Sequence, residues 1–132
     1  MASVSARWTL KGLSVMQADL HALAHLEFGY LTTVGRVTGR LHTIEIWFAL
    51  HDRTVYMLAG NHASDWVKNA RRTPAVTMTL GGSTFAGTAR MVDQAEEDAL
   101  ARRLILAKYQ PGYGEDLSDW GRTALAVAVD LH

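Results

Sequence analysis

Residues 31–48, LTTVGRVTGRLHTIEIWF, limit what this chain can fold into more than any other stretch. Apolar and β-branched residues flank a GRVTGR turn over 35–40, which reads as strand, tight turn, strand. On the second side Ile44, Ile46, Phe48 and Leu50 alternate with Thr43, Glu45, Trp47 and Ala49, the period of a strand with two different faces. A lone two-stranded ribbon is marginal in water, so further strands or a packed helix must cover one face.

The rest of the chain supplies them. Phe28–Val34 and Leu41–Leu50 are the two strands of the ribbon. His51-Asp52-Arg53 reads as a hairpin turn into a third strand, Thr54–Ala59, broken by Gly60-Asn61-His62-Ala63. Ser64 stands where a cap would start a helix over Asp65–Arg72, which Pro74 ends. Ala75–Leu80, the turn Gly81-Gly82, and Ser83–Val92 form a further hairpin. Asp93 with Glu96 has the spacing of a capping box for a helix over about 94–109. Gln110–Gly121 reads as loop, and Arg122–Leu131 as a last strand, apolar on both faces and therefore buried. Upstream, Ser14 starts an expected helix to about Glu27, with Met16, Leu20, Leu23 and Ala24 on one stripe. Residues 1–13 receive no element. The expected class is mainly β (α+β), with about six mostly antiparallel strands and two to three helices. Closure into a small barrel would remove the exposed edges of such a sheet.

A length of 132 residues fits one domain, 1–132, that can bury a working core but has little room for a deep site of its own. Lys and Arg (13) balance Asp and Glu (13), so no global basic field argues for nucleic acid and any anion affinity must be local. Cysteine is absent, which excludes disulfide and thiol chemistry. The first 30 residues lack an apolar run behind a basic start, and no run reaches the roughly 20 residues of a membrane span. A cytoplasmic protein with no integral membrane segment is expected.

The turn is the first candidate for chemistry. Gly35 and Gly39 allow close approach of backbone N–H groups, which can form an anion nest. Arg36 and Arg40 can fork onto phosphate oxygens, and Thr33 and Thr38 add hydroxyl donors. The spacing is neither a P-loop nor a dinucleotide fingerprint, and a plain hairpin with solvated arginines would look similar. The second candidate is the start of the helix after Asn61, where Ser64, Asp65, Trp66, Lys68 and Asn69 meet free N–H groups and the helix dipole. Trp66 can flank a planar ring or simply fill the core. His21 and His25 stand four apart, but the acidic residue of an H-E-x-x-H site is missing, and no metal is expected.

Taken in order, TTVGRVTGR, EIWF and SDWVKNARRTPAVTMTLGG resemble the deazaflavin-dependent nitroreductase family, small split β-barrels that use reduced coenzyme F420. The family pattern is met by Thr32, Thr33, Gly35, Arg36, Thr38, Gly39, Trp66, Asn69, Pro74 and Val76, and the resemblance covers about residues 28–131. It implies that the turn 35–40 holds the cofactor's phosphate and part of its acidic tail. It implies further that Leu58, Ala59 and Gly60 lie along the deazaflavin ring, and that Ser64, Trp66 and Asn69 contact the phospholactyl or ring portion. The substrate would stack near Trp47, Tyr109 and Tyr113, and a tyrosine, Tyr113 before Tyr109, would protonate the developing anion. The implied reaction is hydride transfer to a small-molecule electrophile such as an enone, a quinone or a nitro-compound.

Three positions depart from the family pattern: Val37 replaces a basic residue, His42 an arginine and Glu45 a proline. Two lost cations should weaken the hold on a polyanionic tail. Glu45 would alter pocket polarity or pair with His42, Arg36 or Arg40. Two other readings follow: a split-barrel oxidoreductase that uses FMN, and a barrel that binds F420 or an apolar ligand without turnover. The apolar faces of 41–50 and 122–131 permit subunit pairing, so the chain is expected to be a monomer or a homodimer.

Overall fold

The computed structural model describes residues 20–132. Seven strands form one antiparallel sheet: β1 (Gly29–Val34), β2 (Leu41–Ile46), β3 (Ala49–His51), β4 (Thr54–Ala59), β5 (Ala75–Leu80), β6 (Ser83–Met91) and β7 (Leu125–Leu131). The helices are α1 (Asp65–Arg72), α2 (Ala95–Tyr109) and α3 (Ser118–Thr123), with a 3-10 turn at Gln110–Gly112. Residues 20–23 are helical, whereas most of the helix expected over 14–27, Met16 included, lies outside the described residues.

The strand order β2-β1-β5-β6-β7-β4-β3 puts β2 and β3 at opposite edges, yet only Trp47 and Phe48 connect them. Three peptide links span at most about 11 Å. Laid flat, seven strands would be about 29 Å across. The sheet must therefore curl to bring the end of β2 to the start of β3, a half-barrel whose edge strands do not pair, where closure into a barrel was expected. The strand count is higher than expected because Leu41–Leu50 is two strands rather than one. At the break, the Phe48 N–H donates to the Tyr109 hydroxyl (2.9 Å) and the Phe48 carbonyl accepts from Lys108 Nζ (2.9 Å). Nothing in the alternation through Phe48 foretold this, because the partners come from a helix some 60 residues away.

Two cores follow from the curl. Leu31, Val55, Met57, Met78, Val127 and Val129 fill its inside. Tyr56, Leu58, Ala126 and Ala128 point the other way and meet Ala101 and Ile105 of α2. β4 and β7 are apolar on both faces because both faces are covered. The alanines of β7 let α2 approach closely. Both faces of β7 are thus buried within the chain, which removes it as a free surface for subunit pairing.

Two other expectations are corrected. The Asp93/Glu96 capping box does not form: α2 starts at Ala95 with Gln94 as a cap that makes no side-chain bond. Its first-turn acids bind arginines instead, Glu97 with Arg90 (2.6 and 2.7 Å) and Asp98 with Arg102 (2.6 Å). Arg90 also holds Asp130 (2.7 Å), and Tyr56 donates to Glu97 (2.7 Å), tying β4, β6, β7 and α2 together. The stretch expected as loop carries α3, whose start is set by Asp116 Oδ1 accepting from the Ser118 N–H (2.9 Å) and hydroxyl (2.6 Å). Arg122 and Thr123 therefore end α3, and β7 begins only at Leu125. Six residues are too few to show a helical period in sequence.

Candidate functional site

The β1–β2 turn closes on itself. The Gly35 N–H donates to the Arg40 carbonyl (2.7 Å), the Gly39 N–H to the Gly35 carbonyl (2.9 Å), and the Arg40 N–H to Thr38 Oγ1 (3.2 Å). Gly39 takes a positive φ of 77°, which its missing Cβ permits. The Arg36 N–H reaches Asn69 Oδ1 (3.1 Å) on α1. Four amides expected to form an anion nest thus have internal acceptors, a correction to the nest reading. Polar side chains dominate the donor set.

Those side chains surround a cavity of about 490 Å³ between the turn, β2 and α1, within the usual range for a small-molecule site. Thr33, Gly35, Arg36 and Thr38 line it from the ribbon, and Trp66 and Asn69 from the helix. All six were expected from the sequence as cofactor-binding positions. Val37, His42, Thr43, Ile44 and Asp65 also line it. A Cβ on Gly35 would lie 2.7 Å from His42 Nε2, so the imidazole packs directly on the glycine. Glu45 is absent from the lining: it is exposed and accepts from the Tyr30 hydroxyl (2.9 Å), not from His42, Arg36 or Arg40.

Arg36 joins the two walls. Its Nη1 donates to Asn69 Oδ1 (2.8 Å) and its Nη2 to Asp65 Oδ1 (3.1 Å). Two donors converging on Asn69 Oδ1 fix the orientation of the buried amide. Thr33 is 1% exposed, and its Oγ1 has no hydrogen-bond partner among the described residues. Ser64 Oγ is likewise buried and unpartnered, and it makes no cap bond to α1. Buried polar atoms without partners are rare in folded proteins, so each calls for an explanation.

A second group of residues assembles away from this cavity. The Trp47 ring stacks on Tyr109 (4.3 Å between centroids, 6° between planes). Tyr113 (5.5 Å) and Trp120 (5.8 Å) meet Trp47 edge-on. Trp120 also lies beside Gly60, 3.4 Å from where a Cβ would stand. Tyr113 is 44% exposed. Tyr109 is buried: its hydroxyl accepts from the Phe48 N–H and donates to the Glu27 carbonyl (2.7 Å), with the Phe48 carbonyl 3.1 Å away. Burial pushes this phenol up to about 12. Lys108 Nζ sits 3.8 Å above the Phe48 ring, and burial lowers its amine to about 8. The side chains of Leu58 and Ala59 are buried, while Gly60 and Arg40 are exposed. The sequence reading gave Trp120 and Lys108 no role in the site, since both act through partners distant in the chain. Among the described residues no three His, Cys, Asp or Glu side chains converge as a metal site, and no helix is long and apolar enough to cross a membrane.

Residues 15–132 match the family model of the F420H(2)-dependent quinone reductases. The chain belongs to this family. Solved structures agree on the fold at low identity. An F420-H2 dependent reductase, FDR-A, superimposes with a TM-score of 0.64 at 17% identity, over 78% of this chain and 93% of that one. A conserved hypothetical protein of Mycobacterium tuberculosis gives 0.71 at 20%, over 88% and 80%. The heme storage protein HutZ of Vibrio cholerae gives 0.64 at 16%, over 88% and 89%. No curated protein matches the chain.

Proposed function

We propose that this member of the family is an F420H2-dependent oxidoreductase whose hydride acceptor is an enone, a quinone or a nitro-compound. One observation supports the placement of the cofactor: the cavity at the β1–β2 turn brings the unpartnered Thr33 Oγ1 together with Arg36, Thr38 and Asn69. Hydroxyls, an amide and a guanidinium form a donor set suited to a phosphate ester, so the residues present fit the cofactor.

In this reading Thr33, Arg36, Thr38 and Asn69 hold the phosphate, and Gly35 and Gly39 shape the turn. Exposed Arg40 meets the acidic tail, and Ser64 and Trp66 contact the portion next to the ring. The main chain of Leu58, Ala59 and Gly60, with Trp47, flanks the ring. When bound, the reduced deazaflavin supplies the hydride. The chain binds, orients and excludes water. Trp47, held flat by Tyr109, is a rigid wall for a planar acceptor. Tyr113 Oη is the proton donor to the oxygen on which charge develops. Tyr109 positions Trp47 and donates no proton, because its hydroxyl is engaged by the backbone.

Thr33→Val is the decisive test. It removes a buried hydroxyl that has no partner, so stability should hold or rise slightly. F420 titrated against tryptophan fluorescence should bind the wild type and bind the variant roughly tenfold more weakly, the loss of one hydrogen bond to a charged group. Equal affinity in both proteins would sink the placement. FMN binding in place of F420 would replace the cofactor. F420 binding without turnover of any acceptor would leave a carrier.

A further inference from the structure

Arg36 is anchored at one end and loosely held at the other. Asn69, buried on α1, takes both its main-chain N–H and its Nη1. The remaining bond, Nη2 to Asp65 Oδ1 at 3.1 Å, reaches a carboxylate that is 86% exposed. An exposed pair of this kind is weak and screened by salt. Among the described residues Asp65 is also the only carboxylate lining the cavity.

We propose that Asp65 is a specificity-determining residue of this cradle: its carboxylate stands in for a ligand's anion at Arg36 and restricts the site to ligands that bring a single phosphate there. The inference rests on the reading of the cavity as an anion site. Independent support for a ligand comes from Thr33, which is 1% exposed, lines the same cavity and has an unpartnered Oγ1.

The charges explain the selectivity. Arg36 and Asp65 cancel, and among the described residues no other lysine, arginine or acid lines the cavity. Val37 leaves the middle of the turn uncharged, three of the turn's amides are closed within it and the Arg36 amide is taken by Asn69. An incoming phosphate oxygen replaces Asp65 at Nη2 while Arg36 keeps its bond to Asn69. The released carboxylate then stays at the rim, one helical turn from Asn69, and repels any further negative group. A monophosphate meets this repulsion once. A diphosphate meets it with a larger charge at closer range.

The test compares the full-length wild type, Asp65→Asn and Asp65→Glu, each titrated with inorganic phosphate and inorganic pyrophosphate by calorimetry at low ionic strength. Removing one charge about 5 Å from a multiply charged anion is worth roughly a tenfold change. Asp65→Asn should therefore bind pyrophosphate about tenfold more tightly than the wild type, with a smaller gain for phosphate. The gain should fade near molar salt, and Asp65→Glu should behave as the wild type. Equal or weaker pyrophosphate binding by a folded Asp65→Asn overturns the proposal, as does a lack of anion binding in all three proteins. The F420 titration of the wild type reports separately: anion selectivity without F420 binding would retain the role of Asp65 and reject the cofactor.

Discussion

Replacing Tyr109 by Phe isolates the joint at which one ribbon becomes two strands. The variant keeps the ring, and with it the stack on Trp47 and the buried apolar area. Only the hydroxyl is lost. The Phe48 carbonyl keeps Lys108, and the carbonyl of exposed Glu27 can turn to water. The Phe48 N–H cannot: it belongs to a fully buried residue and bonds no other acceptor among the described residues. Leaving such a donor unsatisfied costs about 1–3 kcal/mol. For a domain of this size that is a fall in Tm of roughly 3–12 °C. Urea unfolding followed by tryptophan fluorescence should show a lower midpoint with an unchanged slope. Tyr113→Phe, at an exposed hydroxyl, should shift stability by less than about 0.5 kcal/mol. If Tyr109→Phe is as stable as the wild type, or Tyr113→Phe loses as much, the backbone joint does not depend on this hydroxyl.

Stability should have an acid and an alkaline limb, both assignable, and between them a rise from about pH 8, where buried Lys108 loses its proton in the folded state. Hydrogen bonds from Arg90 hold Glu97 and Asp130 below the ordinary carboxylate range, so their contribution is present above about pH 4 and is lost as pH falls through the folded values. Burial pushes Tyr56 and Tyr109 up to about 12, so their contribution is present below about pH 10 and is lost as pH rises toward 12. Urea midpoints across pH for the wild type and Glu97→Gln check this, and an undiminished acid limb in the variant would reassign it. At the turn, Gly35→Ala would place a Cβ 2.7 Å from His42 Nε2 and 3.0 Å from the Arg40 carbonyl, whereas Gly39→Ala enters open space. Gly35→Ala should abolish F420 binding, while Gly39→Ala should cost about 1 kcal/mol of stability through its positive φ and keep binding. Equal binding by both variants would refute the packed turn.

The sequence by itself determined the local elements. The limits of β4, α1 and β5 and the Gly81-Gly82 turn fall where residue period and turn chemistry place them. The ordered motifs from Thr32 to Val76 carried the family, and six of the expected binding residues meet around one cavity. Such features are written in neighbouring residues, whose φ, ψ and alternation need no distant partner. Tertiary structure alone decided the rest. The break at Trp47-Phe48 depends on Tyr109 and Lys108, and Glu45 faces outward because Tyr30 lies opposite it in the register. Arg36 finds Asn69 and Asp65 some 30 residues away, closing amides that looked free and neutralising a cation that looked available. The physical reason is the curl: a seven-stranded sheet whose edge strands are joined by two residues brings remote side chains together, and those meetings, not the local period, set the charge and the donors of the site.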